Sequence, residues 1–355
     1  MNDNTDSPYL QLLDAFIKDW RGVTVSVPTA YGGGRDTPEE QLVPQRAYLL
    51  FNRWDDNLLA QALEGQFPKW ARDRVIVPDR QFEHRVEHAP FLLELPEELI
   101  LPTADFQSRP VREWLAQCLE YAAQQRYQNT DKQDFCGVVV SPEKPQAVVR
   151  HWVGLGDQRP PYAEESVLFR YHDPRVMQRV WSALDASQQC RWLGPVTHWW
   201  SLVQPWGPFS DTPEPPQWFH AKAPVLPHGA EVGGSPRDLF DEAQWFLAGI
   251  SPQAHLIWRS YAKHSIAPWA QPDVVSLLRI LEDAARLDLA GLNLEDYVWI
   301  TWQHKPKEGA PCAADWSMPH LASILSRIRE QLRTQPGARF SSLWVQAIQS
   351  TNIKN

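Results

Sequence analysis

The run VLFRYHDPRV, Val167–Val176, decides how this chain is read, because Arg170, His172, Asp173 and Arg175 fall within six residues. Such density suits a catalytic site, or a strand running into a capped helix. Phe169 and Tyr171 alternate with Leu168 and Arg170, which is the pattern of a strand with two unlike faces. Asp173-Pro174 then reads as a helix start, with Asp accepting backbone N–H bonds and Pro holding φ at the first helical position. Val176, Met177, Val180, Trp181 and Leu184 give that helix an apolar face. Asp185 and Gln188 have capping-box spacing for a second helix, which Gly194-Pro195 ends. Only Arg170, His172 and Arg175 are left without an architectural task. Two arginines beside an aspartate suggest an ion-pair lock between strand and helix at least as strongly as a site.

Working outward, the N-terminal half alternates helices and strands. Tyr9 to Trp20 has a helical apolar stripe, Leu12, Leu13, Phe16 and Ile17. Ala47–Phe51, Arg74–Val77, Phe91–Leu95 and Cys136–Val140 are short apolar runs suited to buried strands, two of them closed by Pro78 and Pro96. Asn57–Leu63, Val111–Arg126 and a stretch beginning at Ala147 read as helices. The expected class is therefore α/β, with α+β possible: a small mixed sheet flanked by helices. Eight prolines between Pro205 and Pro236 break regular structure, although Gln217–Ala221 has strand character. Beyond them the pattern is helical: Asp238–Leu247, a helix opening at Pro252, one opening at Pro272 and running to about Leu287, Leu294–Trp302, one opening at Ser317 with the stripe Leu321, Ile324, Leu325, Ile328 and Leu332, and Ser341–Ile348. The expected division is a lobe over 1–204, a proline-rich linker over 205–236 and an all-α lobe over 237–355, in keeping with about two domains for 355 residues.

Composition narrows the function classes. The chain is 43% hydrophobic and 22% charged, which is globular, and its net charge of −9 is a poor match to a phosphate backbone. No nucleic-acid partner is expected. No apolar stretch reaches the ~20 residues of a spanning helix and MNDNTDSPYL is no secretion signal, so no membrane partner is expected and the location reads as cytoplasmic. Cys118, Cys136, Cys190 and Cys312 are scattered, which suits reduced thiols. Gly32-Gly33-Gly34 lacks the Lys-Ser/Thr of a phosphate loop. His84-Arg85-Val86-Glu87-His88 fits the H-x-x-E-H zinc pattern, but Pro90 follows at once and the pattern needs a long helix, so a polar connector is the reading adopted. No G-x-S-x-G elbow occurs, and no catalytic residue, cofactor or metal is expected. The alternative is a hydrolytic enzyme, acting near His172, Asp173 and Arg175 or through a His84, Glu87 and His88 metal site; a third reading is a structural component of a larger machine. The chain also holds 18 Trp and 31 Pro. Trp192, Trp199, Trp200, Trp206 and Trp218 crowd the proline-rich segment and are the candidate partner-binding residues.

Phe169-Arg170-Tyr171-His172-Asp173-Pro174-Arg175-Val176, followed by Gln188-Gln189 and Trp192-Leu193-Gly194-Pro195-Val196, resembles the signature of the type VI secretion effector chaperones, or adaptors. Ala47–Phe51 and Ala89-Pro90-Phe91-Leu92-Leu93-Glu94-Leu95 resemble earlier landmarks of that family. Phe135-Cys136-Gly137 stands where the family often has Trp-Gly. Ala284-Ala285-Arg286-Leu287-Asp288-Leu289 is similar to its helical tail. The resemblance covers about residues 45–200. It implies a non-enzymatic bacterial, cytoplasmic adaptor that binds one toxic effector and loads it onto a cognate spike protein of the VgrG type, with Phe169, Arg170, Asp173, Pro174 and Arg175 as family-motif residues serving fold or contact.

Overall fold

The computed structural model describes residues 7–22, 24–28, 40–78, 80–96, 109–127, 133–205, 215–225, 234–264, 274–303 and 319–352. Trp206, Cys312, the Gly32-Gly33-Gly34 run and the expected helix starts at Pro272 and Ser317 lie outside them. Among the described residues, those up to Pro252 form one compact unit and those from Gln253 onward a second.

The first unit begins with helix α1 (Pro8–Gly22) and an antiparallel hairpin of β1 (Thr24–Pro28) and β2 (Glu40–Pro44). Its centre is a six-stranded sheet of β3 (Arg46–Phe51), β4 (Val75–Ile76), β5 (Phe91–Glu94), β6 (Phe135–Ser141), β9 (His198–Leu202) and β10 (Trp218–Lys222), in the order β10-β9-β6-β3-β5-β4. The expected strands are there, and so is the strand inside the proline-rich segment. Every pairing among the described residues is antiparallel, which places the lobe on the α+β side of the expectation and corrects the mixed strand direction. Among the described residues, none of the intervening helices returns the chain to a parallel neighbour.

Both sheet faces are covered, which is why β3 and β6 read as unbroken apolar runs rather than alternating ones. One face packs Leu49, Phe51, Phe91, Leu93, Val138 and Trp200 against α1, α2 (Leu58–Gln66), α3 (Pro68–Arg72) and α4 (Arg109–Gln125). The other packs Tyr48, Leu50, Leu92, Val139 and Trp199 against α5 (Pro145–Gly156), α6 (Pro174–Trp181), α7 (Ala186–Leu193) and the start of α8 (Glu242–His264). Asn57 caps α2, its side-chain oxygen accepting from the N–H groups of Leu59 and Ala60. Gly137 has φ of 136°, beside a shift in the β3–β6 register at Leu50/Phe51. A Cβ there would run into the carbonyl of Trp200, so only glycine lets β6 and β9 approach at this bulge.

Two helix starts are built alike and joined. At α7, Asp185 accepts from Gln188 N and the Gln188 amide oxygen accepts from Asp185 N. Ahead of α8, Asp241 and Gln244 repeat that reciprocal pair. The two glutamine amides then bond each other, at 2.8 and 3.0 Å, and reach the carbonyls of Leu239 and Ala183. Sequence spacing marked the first box and missed the second.

Pro252 does not open a helix. It lies inside α8, and the Ser251 hydroxyl donates to Leu247 O at 2.6 Å in the turn where proline supplies no N–H. The second unit adds α9 (Val274–Arg286), α10 (Gly291–Gln303), α11 (Pro319–Thr334) and α12 (Phe340–Asn352). Its C-terminal part is helical, as expected. Asp296 on α10 holds the start of α12, accepting from Arg339 Nη2 at 2.6 Å, Ser341 Oγ at 2.7 Å and Ser341 N at 3.1 Å. Burial pushes that carboxyl up, but these bonds outweigh it and hold it below the usual range.

Candidate functional site

The opening stretch sits where the chain leaves a two-residue ladder, β7 (Asp157–Gln158) with β8 (Val167–Leu168). The strand expected through Tyr171 stops there, because α5 ends at Gly156 and Phe169 N makes the last cross-link, to Gly156 O. A tight turn follows, with Tyr171 N donating to Phe169 O and Asp173 N to Arg170 O. The two-faced pattern survives. Phe169 packs edge-on against Trp192 and Phe240 at 5.3 and 4.9 Å, and Tyr171 packs against Trp152 at 5.4 Å.

Asp173 caps α6 as the sequence predicts, its Oδ1 accepting from Arg175 N at 2.9 Å, with Pro174 in the first turn. Arg175 folds back onto the same carboxylate. Its Nε donates to Oδ1 at 2.9 Å and to Oδ2 at 3.2 Å, and Nη2 donates to Oδ2 at 2.6 Å. Arg175 is 0% exposed and Asp173 4%. Burial alone would raise the Asp173 carboxyl, but the guanidinium outweighs it and holds it below the usual range. The carboxylate is thus ionised, enclosed and saturated with donors, which makes it a lock and a poor general base.

His172 is also sealed, at 4% exposed. Its pKa is pushed down to about 4, mainly by burial, with Arg170 adding to the fall and Asp173 opposing it. Its Nε2 lies 2.8 Å from Asn52 Oδ1, an acceptor, so the neutral ring carries its proton there. Nδ1 is buried and meets no donor. Arg170 is the exception. From Phe169 to Met177 every residue is buried except Arg170, which is exposed. The structure thus separates the two arginines left open by the sequence: Arg175 serves the fold, and Arg170 stands at the surface.

Around this turn lies a polar layer that sequence reasoning missed. Gln133 and Gln204 pair their amides at 2.6 and 3.1 Å. Gln178 on α6 reaches Ser201 Oγ and Leu202 O at 2.9 and 2.8 Å. Gln125 donates to Asp134 at 2.9 Å. These glutamines tie α4 and α6 to the end of the sheet where β3 and β9 stop and β6 starts. Glutamine at buried positions has no spacing signature, so the only sequence signal was their abundance.

The tryptophans are divided by the sheet. Trp192 and Trp199 are 0% exposed in the core of one face, and Trp200, 1% exposed, lies in the core of the other. Trp200 packs edge-on to Phe16 at 5.2 Å, and Trp218, half-buried beside them, donates its indole N–H to Leu12 O at 2.9 Å. The proposed anchor patch is corrected accordingly: successive strand residues point to opposite faces, so Trp199 and Trp200 serve two cores and form no common surface.

The remaining candidates are dispersed. His84 and Glu87 are exposed, and His84–His88 forms a turn and one 3-10 turn (Val86–His88) instead of a helix. His88 Nε2 faces Asp55 at 3.5 Å. Among the described residues no group of three His, Cys, Asp or Glu side chains is placed to hold a metal. Burial raises the thiols of Cys118, Cys136 and Cys190, which keeps them protonated. No described helix is long and apolar enough to cross a membrane.

Residues 47–191 match the family described as Domain of unknown function (DUF4123). That family is associated with type VI secretion effector chaperones and adaptors and is in general non-enzymatic. The DUF4123 region contains most of β3, β4 to β8, α2 to α6 and most of α7, including the whole Phe169–Arg175 motif. No curated protein and no solved structure matches the chain.

Proposed function

We propose that this chain is a bacterial cytoplasmic adaptor that binds a type VI secretion effector and loads it onto a cognate spike protein of the VgrG type. The observation that carries the reading is the DUF4123 match, which includes the whole F-R-x-x-D-P-R motif. The geometry of that motif supports it. A buried Asp173–Arg175 lock presents one exposed residue, Arg170, as a lock that displays a contact would. The scheme calls on no cofactor, nucleic acid or membrane.

The test is capture of the tagged chain from its native bacterium, then reconstitution with the recovered proteins. The expected result is a toxin and a spike in near-equal amounts, with the toxin aggregating when expressed without the adaptor. The Arg170→Glu variant should fold normally and lose toxin. A toxin equally soluble alone, and a chain that recovers neither protein, would end the adaptor reading.

A further inference from the structure

The connector that carries His84–His88 forms one wall of a small notch at the β4 edge of the sheet. The notch holds about 240 Å³ and is lined by Trp54, Arg74, Ile76, Val86, Glu87, Ala89 and Phe91. Small-molecule sites start at about 300 Å³, so this space suits one side chain better than a cofactor. Its floor is aromatic, with the Trp54 and Phe91 rings 5.4 Å apart. Val86 stands at its rim, 46% exposed in an otherwise polar connector.

Two further features say what would enter. Among the described residues β4 is an edge strand, bonded to β5 on one side. Val77 N donates to Pro90 O, so ladder alternation turns the N–H and C=O of Ile76 toward the open side. An extended chain laid along that edge would bond Ile76 and place its neighbouring side chain over the notch. Arg74 supplies the charge preference. Its guanidinium lies 3.9 Å over the Trp54 ring and donates to Ala71 O at 2.9 Å, and it meets no carboxylate among the described residues. Glu87, on the other wall, lies 4.0 Å from His88.

We infer that this notch is a docking site for an extended peptide segment of a partner protein, one that sets a large apolar side chain beside a carboxylate. The apolar side chain fills the space between Trp54, Val86 and Phe91, and the carboxylate pairs with Arg74. The inference does not depend on the secretion reading, since any partner with such a segment would serve.

The experiment uses the full chain and two fluorescein-labelled strand-forming peptides, each with one photo-leucine, flanked by glutamates in one and by lysines in the other. The glutamate peptide should bind saturably, and crosslinks should map to Trp54, Val86 or Phe91. Val86→Asp, at an exposed position, should weaken binding about tenfold or more, and Arg74→Glu should reverse the preference toward the lysine peptide. Circular dichroism checks that both variants fold. Absence of saturable binding, crosslinks elsewhere, or equal binding by folded Val86→Asp would overturn the proposal. Recovery of toxin and spike by a Val86→Asp chain would leave the adaptor reading standing while removing this notch from it.

Discussion

Replacing Arg175 by Met tests whether the motif is a lock. The substitution removes three side-chain bonds to Asp173, at 2.6, 2.9 and 3.2 Å, and leaves a carboxylate that is 4% exposed with one backbone N–H and no counter-charge. Breaking a buried pair from one side costs about 3–5 kcal/mol, because the remaining charge stays desolvated. Asp173→Asn should cost a similar amount by removing the carboxylate that pairs with a guanidinium 0% exposed, although asparagine still caps α6. The double variant removes both charges together, so its loss should fall short of the sum by about 1–3 kcal/mol. Urea unfolding at neutral pH, followed by far-UV circular dichroism, gives all three values. A loss under about 1 kcal/mol in Arg175→Met, or strict additivity in the double variant, would refute the lock.

The other expectations concern sites remote from that pair. His172 has its pKa depressed from 6.5 to about 4, so the folded state disfavours its proton. The stability it contributes is complete well above pH 6.5 and is lost as pH falls toward 4; at pH 5.5 the loss is on the order of 1 kcal/mol. His172→Gln should flatten the pH dependence of unfolding by that amount, while His151, His198 and His220, also lowered mainly by burial, keep a residual slope. Gln188→Ala should lose about 1–3 kcal/mol by taking one bond from each end of the Gln244 amide and the side-chain partner from Leu239 O and Asp185 N, and Gln188→Ala with Gln244→Ala should lose less than the two added, as read by thermal melts. Gly137→Ala should cost about 3 kcal/mol or more, measured the same way, because its φ and the Trp200 carbonyl both exclude a Cβ.

Much of the fold was legible because its signals are local. The runs at Ala47–Phe51 and Cys136–Val140 are short, apolar and suited to buried strands, and Asp173-Pro174 and Asp185…Gln188 announced two helices within a residue. What escaped the sequence was set by partners far along the chain. Strand direction depends on which strands meet, so the antiparallel order could not be read from alternation. Pro252 looked like a helix start because its local chemistry is the same in a start and in a kinked interior; packing of the flanking turns decides between them. The tryptophans show the limit best. The crowding of five beside the proline-rich segment invited a surface reading; strand alternation already put at least one of Trp199 and Trp200 in a core, and the structure buries both, in two different cores. The notch at Trp54, Arg74 and Val86 brings together residues with no common spacing, and its one sequence trace was an apolar residue amid His84, Arg85, Glu87 and His88.

The joined helix starts at Gln188 and Gln244 bear on how the molecule can be dissected. A fragment trimmed to the DUF4123 match would end at Arg191, and a fragment cut in the proline-rich segment would end before Leu239. Either would leave the Gln188 amide without its two acceptors and strip Phe240 from the ring of Phe169, and the shorter one would lose Trp192 as well. The shorter one would also lose β9 and β10, baring the long, uncharged flank of β6 as a template for self-association. The smallest piece to express for crystallisation or binding work therefore keeps α1 at one end and runs to Pro252 at the other, well past the limits that the family match suggests.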